Sequence, residues 1–177
     1  MSRSLDLPGS VPLPLSLARF ASIVLVALLT GLALAHVLEQ PAKMHYDAAL
    51  YITLQKSLYV DWGPPNLGGV LEPAAILATG LLAFVVRKNR RGFWFSLGAL
   101  IALLLAFPVV FFGWVAPANA VFAAATLPNI PPGWSTARSN WELGHAIRFG
   151  LQLTALAMLV LSLTLDATAA RGDHRQA

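Results

Sequence analysis

Four side chains near the C-terminus recur at helical spacing in SNWELGHAIRFG, residues 139–150. They are Trp141, Glu142, His145 and Arg148. Residues three or four apart share one face of a helix, so the pattern predicts a carboxylate, an imidazole and a guanidinium side by side. An imidazole can take a proton and a guanidinium can hold an anion, so these residues could form a site; the alternative is that they are only the polar end of an apolar helix.

A complementary pair lies near the N-terminus in HVLEQ, where His36 precedes Glu39 by three residues. The apolar segments that carry the two pairs are the first and the last of four, and they therefore cross a membrane in opposite directions. At 1.5 Å per residue, each histidine lies about 4.5 Å deeper than its glutamate. The spacing predicts that His36 and His145 lie at the same depth.

A divalent metal is a candidate cofactor for these residues, and the sequence establishes no other. Di-metal sites in helical bundles use two Glu-x-x-His motifs and one further glutamate from each of two other helices. Glu72 opens the second apolar segment, but Asn119 closes the third where a glutamate is expected, so the match is incomplete. The candidate metal ligands are His36, Glu39, Glu72, Glu142 and His145.

Two of the glutamates also have a purely structural interpretation. Ser139 and Glu142 have the spacing of a capping box, in which both side chains satisfy free amides at a helix start. Glu72 precedes Pro73, a residue favoured at the first helical position, so its carboxylate would interact with the positive end of the helix dipole.

Structural interpretations also exist for the remaining polar residues of the set. Arg148 could extend to the membrane surface or pair with Glu39 or Glu142. His36 and His145 could be a hydrogen-bonded pair that only holds the bundle together. Because imidazoles inside apolar helices are costly, we treat these two as functional candidates.

The composition is that of an integral membrane protein. Of the 177 residues 57% are hydrophobic and 11% are charged, against about 25% charged in soluble domains. Lys and Arg outnumber Asp and Glu by 12 to 8, but they are scattered, so we expect no nucleic-acid partner. The absence of cysteine excludes disulfides, thiolate metal sites and thiol-based electron relays.

Four apolar segments approach the roughly 20 residues that cross a bilayer. They are residues 20–38, 70–86, 93–115 and 143–165. We therefore predict an all-α protein, a four-transmembrane-helix bundle forming one membrane domain over residues 1–177, with disordered ends at 1–12 and 168–177. Pro108 lies inside the third segment and predicts a kink there.

A short amphipathic helix is predicted between the first two segments. In MHYDAALYITLQKSLY, residues 44–59, the apolar positions keep a period near 3.6, which is typical of a helix lying on the membrane surface. This helix would cap the bundle on the extracytoplasmic side. We expect Lys43, His45 and Asp47 to form its solvated face.

The basic residues predict the orientation. Four crossings place both termini and the RKNRR turn on one side, with eight Lys and Arg there and four on the other. By the positive-inside rule both termini are cytoplasmic, which fits a bacterial inner membrane. The aromatic residues concentrate on the opposite, outer side, as an interfacial belt would.

An alternative for the first segment is a cleaved signal peptide. Ala33-Leu34-Ala35 is an A-x-A pattern after an apolar run, which is typical of signal peptidase sites. However, the segment before Arg19 is long for a signal peptide and the apolar run continues through Leu38. We therefore expect the helix to be retained, with cleavage after Ala35 as the alternative.

The segment VAPANAVFAAATLPNIPPGWSTARSNWELGHAIRFG resembles the second half of the anthrone-oxygenase-like membrane proteins. These are small four-helix proteins, mostly of unknown function in bacteria. The resemblance rests on Pro117-x-Asn119 and on Trp141-x-x-x-His145-x-x-Arg148. It implies Asn119, Trp141, His145 and Arg148 as catalytic residues, and an oxidation by molecular oxygen with no established cofactor.

Two functions follow as expectations. The first is an oxygenase-like oxidoreductase that acts on a small aromatic or lipid-soluble substrate at the outer end of the bundle. The second is a non-catalytic structural or accessory membrane protein, in which the same polar groups only hold the helices together. A transporter is disfavoured because the sequence has no internal repeat and no charge at mid-depth.

Overall fold

The computed structural model describes the backbone of residues 12–173 and the side chains of residues 12–166. Within these residues the fold is all-α, and four of its helices are long and apolar enough to cross a membrane. The helices are α1 (Leu13–Lys43), α2 (Ala48–Ser57), α3 (Leu67–Val85), α4 (Arg90–Leu104), α5 (Ala116–Ala124) and α6 (Trp134–Asp173). A π-helical segment, Leu105–Val115, joins α4 to α5, so that Arg90–Ala124 forms one continuous span.

The four predicted crossings are present, but the helices extend beyond the apolar segments. α1 continues through Pro41 to Lys43, and α6 begins at Trp134, well before the predicted residue 143. Residues 168–173, expected to be disordered, continue α6. The rest of the predicted disordered ends, residues 1–11 and 174–177, lies outside the described residues. Polar residues near the helix ends are therefore inside helices rather than in loops.

The four long helices form a ring in which each packs along two neighbours. α6 and α3 lie opposite each other, and each packs against both α1 and α4. Small side chains allow these contacts, since Ala75, Ala99 and Ala155 are all fully buried at the helix interfaces. Small residues let the backbones approach closely, which is how helices gain packing energy inside lipid.

The π-helical segment contains Pro108, for which the sequence predicted a kink. Proline has no backbone N–H, so the regular ladder of hydrogen bonds cannot continue through it, and a wider helical turn accommodates this. The π-helical segment and α5 then pack against α6. At that contact Gly144 leaves room for its neighbour, because a Cβ there would lie 2.8 Å from Cγ2 of Val115.

α2 covers one end of the ring, which we call the α2 end; the opposite end, with the α3–α4 turn, is the termini end. Asp47 caps α2 by accepting a hydrogen bond of 2.8 Å from the backbone N–H of Leu50. Tyr51 and Ile52 are buried against the α5 side of the bundle. The ammonium group of Lys56 donates to backbone carbonyls at the end of α5. α2 is thus packed against the end of the bundle and covers it.

Candidate functional site

The two candidate histidines are in contact. The ring of His36 on α1 and that of His145 on α6 have centroids 4.0 Å apart and planes inclined at 40°. Both residues are buried. Antiparallel helices with matched H-x-x-E and E-x-x-H motifs predicted this common depth, and the structure confirms it.

Aromatic rings surround the imidazole pair. Trp141, one turn before His145 on α6, lies 4.9 Å from the ring of His36 and 4.2 Å from that of His145. Tyr59 and Trp62, which follow α2, lie 5.1 and 5.4 Å from His36. The indole N–H of Trp141 donates to the side-chain oxygen of Asn119 at 2.8 Å, so Asn119 fixes the orientation of this ring.

A buried ion pair lies one turn deeper than the histidines. Arg148 pairs with Glu72 of α3, and Gln152 donates to the same carboxylate oxygen at 3.3 Å. The sequence predicted Arg148 at the membrane surface or paired with Glu39 or Glu142, and this prediction is wrong. Arg148 is buried instead, and its guanidinium contacts both Glu72 of α3 and His145 on its own helix.

The structural interpretation of Glu72 as a residue at a helix start is also wrong. α3 begins at Leu67, so that Pro73 lies inside the helix, and Glu72 is 1% exposed. Burial of this carboxylate is made tolerable by its guanidinium partner, because an unpaired charge in the bundle would be very costly.

Arg148 also determines the protonation pattern of His145. Its Nη1 lies 3.4 Å from Nδ1 of His145. Because a guanidinium can only donate, Nδ1 accepts, and the proton of the neutral ring is on Nε2. The two ring nitrogens Nδ1 of His36 and Nε2 of His145 are buried and have no hydrogen-bond partner among the described residues.

A second charged group lies on the outer side of the histidines. The ammonium of Lys43 is 3.2 Å from the carboxylate of Glu142 and 3.5 Å from that of Glu39. Tyr51 donates to Glu142 at 3.0 Å, and Tyr59 donates to Glu39. This chain of contacts connects α1, α6 and the α2 region above the imidazole pair.

Two predictions about this group are wrong. Lys43, expected on a solvated face, is 2% exposed because α1 extends into the bundle cap. Ser139 and Glu142 form no capping box, because α6 begins at Trp134 and the hydroxyl of Ser139 donates back to Ser135. His45 and Asp47, expected on the same face, are both exposed, and Asp47 also caps α2.

The two tyrosines at this end have raised pKa values. Burial is the main cause of the raised pKa of Tyr51, and the negative charge of Glu142 adds to it. Burial also raises the pKa of Tyr59, with a further contribution from its hydrogen bond to Glu39. Both hydroxyls therefore remain proton donors, which is what the two carboxylates require.

The five candidate metal ligands do not converge on one point. The carboxylates of Glu39 and Glu142 contact Lys43, and that of Glu72 contacts Arg148, so each carboxylate already has a cationic partner. The described residues contain no group of three or more Asp, Glu or His side chains positioned to hold a metal ion. The five fall into separate groups: His36 and His145 lie together, Glu39 and Glu142 meet at Lys43, and Glu72 lies with Arg148.

A cavity of about 390 Å³ opens beside the imidazole pair. This volume is within the range of small-molecule sites in proteins. Its wall is apolar along α1 and the π-helical segment, and aromatic at Tyr59, Trp62 and Trp141. The polar groups that line it are His36, Gln55, Lys56, Glu72, Asn119, His145 and Arg148. The cavity can therefore hold a flat apolar molecule against polar groups that bind or deprotonate it.

Sequence reasoning did not identify four residues of this region: Lys43, Tyr59, Trp62 and Gln152. A signal existed for Gln152, which follows Arg148 by four residues and so continues the polar stripe of α6 toward mid-membrane. Tyr59 and Trp62 have no such signal, because aromatic residues near a membrane surface are expected without any site.

The chain matches no protein-family model, no curated protein and no solved structure. The resemblance to the anthrone-oxygenase-like proteins, which rests on two short motifs, therefore stays a prediction.

Proposed function

We propose that the protein is a multi-pass membrane enzyme that binds a small aromatic or lipid-soluble molecule at the α2 end and takes a proton from it. The observation that carries this proposal is the contact of two imidazoles, 4.0 Å apart, beside a cavity of about 390 Å³. Paired imidazoles in an apolar, aromatic environment are an uncommon and costly arrangement inside a membrane bundle.

The proposed roles follow from the contacts. Within the imidazole pair, His36 accepts the proton at its unpartnered Nδ1, whereas Arg148 holds His145 in the tautomer with its proton on Nε2, and the positive charge of Arg148 favours the anion that forms. Asn119 and Trp141 are positioning residues, since the indole packs on both imidazoles and its N–H is held by the amide oxygen.

The resemblance extends this proposal to an oxidation. In that reaction a ring methylene of the deprotonated substrate becomes a carbonyl, molecular oxygen supplies the oxygen atom, and the second oxygen atom leaves as water. The oxidoreductase part of the proposal rests on the two motifs, whereas binding and proton removal rest on the geometry of the cavity.

A direct test uses 2-naphthol, whose neutral and ionised forms differ in fluorescence, with the purified protein in detergent. We expect the wild-type protein to bind the probe and increase its ionised fraction, and His36→Ala and His145→Ala to abolish that increase. His45→Ala is the matched control, because this imidazole is exposed and outside the cavity. Ionisation that persists in both cavity variants would refute proton removal by the imidazole pair.

A metal-dependent enzyme is an alternative form of the same proposal. The two imidazoles would supply two nitrogen ligands, but the neighbouring carboxylates are held by Lys43 and Arg148, so a metal would have to displace a cation to gain them. Elemental analysis of the purified protein tests this. A stoichiometric divalent metal that is lost in His36→Ala would favour the metal-dependent form.

A non-catalytic function is the second candidate, and the ion pairs favour it. Lys43 connects α1 to α6, and Arg148 connects α6 to α3, so both would stabilise the bundle without any turnover. Under this function, His36→Ala and His145→Ala reduce the amount of folded protein, and the remaining folded protein binds 2-naphthol as the wild type does.

The proposed location is a bacterial inner membrane with both termini in the cytoplasm. The α3–α4 turn would then face the cytoplasm and the cavity would open near the outer surface. Cysteine residues placed singly at Ser57 and Lys88, with a membrane-impermeant thiol reagent applied to intact cells, test this. Labelling at position 57 and not at 88 supports the proposed orientation; the reverse contradicts it.

A further inference from the structure

The α3–α4 turn presents basic side chains that nothing described in the structure neutralises. Lys88, Arg90 and Arg91, which we call the turn cations, are all exposed. None of them forms an ion pair with any side chain that the structure describes. Their neighbour Arg87 differs, because it folds back over the ring of Phe84 at 4.0 Å and donates to that residue's carbonyl.

The one described carboxylate at the termini end already has hydrogen-bond and ion-pair partners. Asp166 of α6 pairs with Arg19 of α1 and accepts from the side chain of Asn89 at 3.3 Å. The other described carboxylates lie toward the α2 end of the bundle. They are Glu39, Asp47, Asp61, Glu72 and Glu142. Among the side chains of residues 12–166, the turn cations therefore form a positive surface without a counter-charge.

Exposed aromatic rings flank this surface. Phe84 at the end of α3 and Trp94 in the first turns of α4 are each 60% exposed. Rings at such positions lie at the level of lipid headgroups, next to the ends of membrane spans. The turn cations project from between them, so they lie where lipid phosphates lie.

We propose that the turn cations bind the phosphate of anionic phospholipids in the membrane leaflet at the termini end. Each basic side chain near an anionic membrane surface strengthens the attraction, by about fivefold per residue. Three such residues then favour an anionic over a neutral phospholipid by about a hundredfold. This inference does not depend on the proposed enzymatic function.

The test measures lipid binding to the full chain in neutral detergent by native mass spectrometry. The probes are phosphatidylglycerol, which is anionic, and phosphatidylcholine, which is zwitterionic. We expect the wild type to retain phosphatidylglycerol preferentially, and the triple variant Lys88→Gln, Arg90→Gln, Arg91→Gln to lose about a hundredfold of that preference. Lys56→Gln, which removes one charge at the α2 end, is the matched control and keeps the preference.

Each other outcome has a defined meaning. A triple variant that retains the wild-type preference would overturn the proposal, as would equal retention of both lipids by the wild type. If inorganic phosphate displaces phosphatidylglycerol at equal concentration, the site binds free phosphate and the lipid proposal fails. Glutamine could disturb the turn, so a second variant, Arg90→Lys with Arg91→Lys, changes the side chains but keeps their charge. We expect it to keep the preference for phosphatidylglycerol; if it loses that preference, the positive charge of the turn does not cause it.

Discussion

The ion pair between Arg148 and Glu72 allows a quantitative test of how this bundle is held together. Glu72 is 1% exposed and Arg148 is 9% exposed, so removal of either partner leaves the other charge in a buried position. Breaking a buried pair in this way costs about 3–5 kcal/mol. In Arg148→Met the remaining donor to Glu72 is Gln152, at 3.3 Å, and it offsets only part of this cost.

The double variant Arg148→Met with Glu72→Met removes both charges and fills a similar volume. Because replacing a buried pair by apolar side chains is often neutral or stabilising, we expect it to recover most of the stability that either single variant loses. The two substitutions should therefore be strongly non-additive: if each single variant loses at least about 3 kcal/mol and the double variant about 1 kcal/mol or less, the coupling free energy is at least about 5 kcal/mol, above the usual range for residues in contact.

The assay is reversible unfolding of the purified chain in mixed micelles of increasing denaturing detergent, followed by tryptophan fluorescence. Trp141 and Trp62 lie close to the site and report its loss. Arg91→Met is the control, since an exposed cation on the α3–α4 turn should change the free energy of unfolding by less than about 0.5 kcal/mol. The prediction fails if the losses in free energy of unfolding of the two single variants add up to that of the double variant, or if each single variant loses less than about 1 kcal/mol. Either result would show that the pair is not buried as described.

Two further predictions concern the α2 end and the packing of α6. Burial and the charge of Glu142 raise the pKa of Tyr51, so its hydroxyl should stabilise the fold fully below about pH 10 and progressively less at higher pH. Tyr51→Phe should therefore lose about 1.5–3 kcal/mol of the free energy of unfolding at neutral pH, and that free energy should fall less steeply with rising pH than in the wild type. The same unfolding assay, repeated at each pH, measures both effects. An unchanged alkaline decline would contradict this origin. Gly144→Ala should cost about 1–3 kcal/mol, since its Cβ would meet Val115 at 2.8 Å, whereas Gly150→Ala on the same helix, with open space around it, should be neutral or slightly stabilising; equal effects in thermal unfolding would argue against a close contact.

The sequence predicted the depth of the histidines but not the partners of the charged residues. Depth follows from position along a helix, so His36 and His145 could be matched from their distances to the membrane surface. Lateral partners depend on how each helix is rotated about its axis. Arg148 pairs with Glu72 on α3, and the sequence pattern contains no information that favours this glutamate over Glu39 or Glu142.

The remaining errors come from the ends of helices. Pro73 follows Glu72 and predicts a helix start, whereas it lies inside α3, and Pro41 likewise lies inside α1. The Ser139 and Glu142 spacing matched a capping box by chance, since the true start of α6 is at Trp134. Proline is tolerated within a helix in the first turn, and elsewhere when tertiary packing compensates for the lost hydrogen bond, which local sequence does not report.

The π-helical segment has a consequence for how this protein makes room inside a membrane. A break in a helix would expose backbone amides and carbonyls to lipid, which is prohibitively costly. The Leu105–Val115 segment stays helical through Pro108, so Arg90–Ala124 is one span; within it α4 packs against α3 and α5 packs against α2, while both also pack against α6. The segment also lines the cavity, through Phe111 and Val115, so one wall of the cavity is formed by a span that crosses the membrane without a non-helical break.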